Sequence, residues 1–103
     1  MSKFIYVYHG GSKPESEAEQ QRVMAAWGAW MEGLGAKLVD GGAPVGLSKT
    51  VSASGTADDG GANPISGYSM VDAANHAEAA KMAEGCPIIE DGGSVEVAEV
   101  LSM

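Results

Sequence analysis

Two sets of side chains alternate along Lys3–His9 in a largely hydrophobic run, Phe4, Tyr6 and Tyr8 as one set and Ile5, Val7 and His9 as the other. A period of two, built from aromatic and β-branched residues, predicts a strand. Both sets are largely apolar, so both faces of that strand need cover. Gly10-Gly11-Ser12-Lys13-Pro14 breaks the pattern and leads into a different one. Between Ser16 and Leu34, Val23, Trp27, Trp30 and Leu34 recur at the spacing of one helical face. Ala26 and Met31 widen the stripe, while Glu17, Arg22 and Glu32 fall opposite. Ser16 and Glu19 have the spacing of a capping box, and Gly33 and Gly35 supply the stop. Two tryptophans on one stripe need something large and flat beneath them, which a sheet provides, and they are expected in the core.

A second strand is expected over Ala36–Asp40, halted by Gly41-Gly42. Residues 41–64 read as loop, with a short alternating stretch at Leu47–Ala53 fit for an edge strand and a turn at Asp58-Asp59-Gly60-Gly61. Ser66–Ala73 is the next strand. Asn75–Glu84 follows as a short helix with a small apolar side, Ala79, Met82 and Ala83, and Gly85-Cys86-Pro87 ends it. After a turn at Asp91-Gly92-Gly93, Ser94–Leu101 closes the chain as a last strand. The order is β-α-β-(β)-β-α-β. Crossovers of one hand put both helices on one face, which is a ferredoxin-like α+β sandwich in a single domain over residues 1–103. The other face is apolar and has no helix left to cover it. A homodimer closing sheet against sheet is therefore expected.

Charge and cysteine content narrow the function classes. Fourteen acidic residues against six basic ones give a net charge of −8, and no basic stripe interrupts the chain. Nucleic acid and anionic membrane surfaces are excluded as partners on that ground. A single cysteine, Cys86, rules out an intrachain disulfide and fits a reducing compartment. The first residues are too short and too polar an apolar run for a signal peptide or a membrane span, so a cytoplasmic protein is expected.

The stretches AAWGAWMEGLGAKLVDGGAP, SGYSMVDAANHAEAAKMAEGCP and GGSVEVAEV, in this order and spacing, resemble the YCII-related (DGPF) family across essentially the whole chain. The most specific pieces are the Gly67-Tyr68 strand start, Gly85-Cys86-Pro87, and the closing Ser94-Val95-Glu96-Val97. The resemblance implies a ferredoxin-like dimeric α/β barrel, a cleft between sheet and loop, and biochemical roles that are mostly undetermined. Members near the founding protein carry a histidine in the first helix and an aspartate just after the second, proposed as a catalytic dyad. This chain has no histidine in Ser16–Leu34, and Cys86 follows Gly85. The naming DGPF motif is also absent, with Asp58-Asp59-Gly60-Gly61 in roughly its region. The dyad is not carried over.

The residues offer their own candidates. His9 ends the first strand beside a glycine turn, where ligands approach backbone and an imidazole exchanges protons near neutral pH. The alternative is a strand-end histidine making one hydrogen bond. Asp40 could reach His9 if the strand ends are neighbours, or could simply open the Asp40-Gly41 turn. Tyr6, Tyr8 and Tyr68 have apolar rings and polar tips fit for a ligand pocket, and Ser48 lies in the loop that would roof it. His76, in the first turn of the second helix, reads as structural and neutral, since a positive charge there opposes the helix dipole. Adjacent Asp58 and Asp59 lack further spaced ligands for calcium, and His9 and His76 lack a third ligand for zinc. No metal or cofactor is expected, because the glycine pairs match no phosphate or dinucleotide loop. Cys86 is expected to be a small buried packing residue. Two functions follow. One is a small dimeric protein that binds or transforms an organic molecule near His9 under residues 41–64. The other is a non-catalytic ligand-binding or protein-interaction module on the same fold.

Overall fold

The alternating stretch at the amino terminus forms a central strand, and the other strands of the main sheet add to either side of it. The computed structural model describes residues 1–11 and 15–102, so the expected break at Ser12–Pro14 lies outside the described residues. The chain runs β1 (Ser2–His9), α1 (Glu17–Leu34), a 3₁₀ turn (Gly35–Lys37), β2 (Leu38–Pro44), β3 (Thr50–Ser52), β4 (Gly55–Ala57), β5 (Ile65–Ala73), α2 (His76–Ala83), α3 (Pro87–Glu90) and β6 (Ser94–Glu99). Four strands form an antiparallel sheet in the order β2-β5-β1-β6, and β3 and β4 form a separate hairpin. That order, with α1 and α2 crossing between strands, is consistent with the ferredoxin-like α+β fold.

Register sorts the side chains into two faces. Phe4, Tyr6 and Tyr8 lie opposite Val71, Ser69 and Gly67 on β5 and opposite Glu99, Val97 and Val95 on β6. Tyr6 touches both helices: its hydroxyl donates to the Ala79 carbonyl of α2 at 2.6 Å, and its ring stacks on Trp30 of α1 at 6.0 Å. Both helices therefore cover this face, and the core (Phe4, Tyr6, Tyr8, Val71, Ala73, Ala79, Ala83, Cys86, Ile88) lies between. The opposite face carries Ile5, Val7, Met70 and Ala98, none of them fully buried, and among the described residues no helix covers it.

Local chemistry sets the helix ends. The Ser16 side chain accepts from the Glu19 N–H at 3.1 Å, and the Glu19 carboxylate accepts from the Glu15 N–H, one residue before the cap. Asn75 accepts from the Glu78 N–H at 2.8 Å, while the Glu78 carboxylate accepts from the Ala74 N–H and from Lys37. Gly35, at φ +57°, ends α1.

Four expectations are corrected. Trp27 and Trp30 are half-buried rather than enclosed, and no residue of α1 is fully buried. They pack on the core through aromatic edges, and the Trp30 indole N–H donates to the Met82 carbonyl at 3.2 Å. The second strand is displaced: Gly35–Lys37 is a 3₁₀ turn, and β2 runs on through Gly41-Gly42 to Pro44. The alternating stretch at Leu47–Ala53 shortens to β3, which turns back on β4 as a hairpin, and Pro87 opens a further short helix instead of only closing α2.

Candidate functional site

β2 continues past its glycines because Gly42 lets it. Gly42 takes φ +68°, and a Cβ there would stand 1.7 Å from the Tyr68 carbonyl oxygen, so only glycine permits this approach to β5. The pairing shifts register between Asp40 and Ala43 and resumes at Ala43–Tyr68 and Pro44–Gly67. Gly67 is the partner glycine. A Cβ there would meet the Ala43 carbonyl at 3.0 Å. The bulged strand thus leaves the α1 side of the sheet corner open and floored by backbone.

A cavity of about 520 Å³ fills that corner. Met24, Trp27 and Met31 of α1 form one wall, Gly41–Pro44 of β2 a second, and Tyr8, Ser66, Gly67 and Tyr68 the floor, with Ile88 of α3 at the side. The Tyr8 ring meets Trp27 edge-on, with centroids 4.9 Å apart at 83°. Behind the floor, the Tyr8 hydroxyl donates to Ser69 Oγ at 2.8 Å, and Ser69 Oγ donates to the Gly41 carbonyl at 2.8 Å. This relay ties β1, β5 and the bulge of β2 together. Burial pushes the Tyr8 phenol well above its ordinary pKa, so it stays protonated, a hydrogen-bond donor and not a base. None of the described residues lining the cavity carries a formal charge.

Tyr8 and Tyr68, two of the candidates read from sequence, border this cavity, but Tyr68 pairs in register with Val7, which places its ring on the open face. Tyr6 does not border it. It is fully buried, engaged with Ala79, and burial pushes its phenol up to about 12. Ser48 is half-buried in the segment before the β3–β4 hairpin and is not among the lining residues. Asp40 faces Met70, which faces Ile5, four positions along β1 from His9. The carboxylate of Asp40 instead accepts from the Gly42 N–H at 2.8 Å, an Asx turn that helps hold the bulge.

His9 sits outside the cavity lining, at the end of β1. Its Nδ1 lies 3.2 Å from the Pro64 carbonyl oxygen and its Nε2 lies 2.9 Å from Glu96 Oε1. Both partners are acceptors, so the doubly protonated ring is the state that satisfies both. The Glu96 carboxylate raises the His9 pKa above 6.5, burial opposes this, and the Pro64 carbonyl adds to the rise. His76 also has a structural partner: its Nε2 lies 2.8 Å from the Val97 carbonyl on the outer strand β6. Cys86 is buried, with its thiol pushed up to about 11 by burial, which suits a packing residue.

Met24, Met31, Ile88 and the backbone of Gly41–Pro44 are the lining elements that sequence reading did not single out as a site. Met31 was visible only as part of the helical stripe, and Met24, one turn before Trp27 and two before Met31, borders that stripe. No group of three or more metal-ligating side chains occurs among the described residues, and no described helix is long and apolar enough to cross a membrane. A family model described as YCII-related domain matches residues 4–103. No curated protein and no solved structure matches the chain.

Proposed function

The chain belongs to the YCII-related family, and we propose that this protein binds a small organic molecule in the cavity between α1 and the β2–β5–β1 corner. The observation that carries the reading is an apolar cavity of about 520 Å³, within the range of roughly 300–1,000 Å³ usual for small-molecule sites. Its lining has aromatic walls and backbone floor but no acid–base group near neutrality, which favours binding over catalysis. The competing reading gives His9 the acid–base role, with Asp40 beside it. That chemistry asks for a ring nitrogen free to meet a substrate, and the partners of His9 are Pro64 and Glu96. The same reading takes the protein as a homodimer closing through the open sheet face, supported by Ile5, Val7, Met70 and Ala98 on a face without cover.

A thermal-shift screen of small metabolites on wild type, His9→Gln and Gly41→Leu separates the two readings. A Cβ at Gly41 would stand 3.9 Å from the Met31 sulfur, so Gly41→Leu fills part of the cavity between β2 and α1. A stabilising compound is expected to keep its effect in His9→Gln and lose it in Gly41→Leu. The opposite pattern overturns the cavity reading and restores His9.

A further inference from the structure

Resting on that cavity as the binding site, we propose that its ligand is an uncharged, planar aromatic molecule of one or two rings. Three features of the walls select it. Trp27 and Tyr8 stand nearly perpendicular, 83° apart, and so offer a ligand ring both an aromatic edge and an aromatic face. Met24 and Met31 add two thioethers, polarisable groups that pack favourably against aromatic rings. Gly41 and Gly42 in the β2 wall and Gly67 in the floor present bare peptide without side chains, against which a flat molecule lies closer than a puckered one.

Charge of either sign is disfavoured. An anion in this cavity would find no cation, and a cation no carboxylate, among the described lining residues, and either would lose its hydration without a partner. The chain as a whole carries −8, which repels anions at longer range. The hydroxyls of Tyr8 and Ser66 are already used: Tyr8 donates to Ser69, Ser69 to the Gly41 carbonyl, and Ser66 to the Gly10 carbonyl, while Tyr68 pairs in register with Val7 of the open face. A ligand rich in hydroxyl groups, such as a sugar, would therefore leave most of its own donors unpaired. Shape and π-surface are what this cavity reads.

The test is calorimetric titration of the full chain with three molecules on related ring skeletons: 2-naphthol, 2-naphthoate and decahydro-2-naphthol. The neutral aromatic is expected to bind at least about 30-fold tighter than the anion and several-fold tighter than the saturated, puckered alcohol. Gly41→Leu should abolish 2-naphthol binding. Met24→Lys, at a position 65% exposed and so safe for folding, should weaken 2-naphthol about tenfold and narrow the gap to 2-naphthoate. Equal or tighter binding of 2-naphthoate, or of the saturated alcohol, by wild type but not by Gly41→Leu overturns the ligand class while leaving the site in place. If none of the three binds, or if binding is indifferent to both substitutions, the cavity reading falls together with the ligand class.

Discussion

Glu96→Gln separates charge from shape at the end of β1. The His9 ring is held between the Pro64 carbonyl and the Glu96 carboxylate, and the residue is only 8% exposed. Its pKa is raised above 6.5 in the folded protein, chiefly by Glu96. A group raised on folding stabilises the native state fully below its unfolded value and loses that contribution as pH rises through the folded one. The stabilisation is therefore complete below about pH 6.5 and gone well above it. The Glu96 side chain is 65% exposed, so water screens the attraction, and a discounted value of about 0.5–1 kcal/mol is appropriate. With a urea m-value of about 1–1.5 kcal/mol/M for a domain of this size, Glu96→Gln should lower the unfolding midpoint by roughly 0.5 M at pH 6. At pH 9 the neutral ring, donating from Nδ1 to Pro64, turns a lone pair toward position 96, and the glutamine amide can donate to it. No loss is expected there. The loss at pH 6 should also vanish in a His9→Gln background, measured at the same protein concentration. An equal loss at both pH values, or one that persists without His9, refutes the ion-pair account.

Gly42→Ala should cost more than about 2 kcal/mol, combining the left-handed strain of roughly 1–2 kcal/mol per residue with displacement of the Tyr68 carbonyl. Chemical denaturation reads this directly, and Gly46→Ala, where a Cβ meets nothing within 4 Å, is the matched control. Gly28→Ala, in the exposed middle of α1 with open space around it, should stabilise by about 0.5–1 kcal/mol by removing a helix-interior glycine. Light scattering at micromolar concentration should give the mass of a dimer for wild type and of a monomer for Val7→Asp on the open face. A monomeric wild type contradicts the sheet-to-sheet arrangement.

Most of the fold was legible because its signals are local. Alternation at Lys3–His9, the helical stripe from Val23 to Leu34, and the cap spacings Ser16–Glu19 and Asn75–Glu78 each depend on residues a few positions apart. Legibility failed where one residue can serve opposite ends. Gly41-Gly42 reads as a strand stop, yet Gly42 in a left-handed conformation is what carries β2 past the Tyr68 carbonyl. Pro87 reads as the punctuation after a helix, yet proline at the first helical position starts α3. The site was harder still. The His9–Glu96 pair joins residues 87 apart in sequence and exists only because β6 docks on β1 in one register. The cavity depends on a bulge, on Gly67 lacking a side chain, and on α1 standing off the sheet corner. Tyr8 was found from its chemistry, whereas Met24, three residues before Trp27 and seven before Met31, sits at the margin of the helical stripe.

The most direct measurement is a methionine-methyl NMR titration with 2-naphthol. Met24 and Met31 line the cavity, while Met70 lies on the opposite face of the sheet. Ring-current shifts should appear at Met24 and Met31 and saturate together, leaving Met70 unmoved. Saturable shifts at Met70 with none at Met24 and Met31 would place the ligand on the other face and contradict the account.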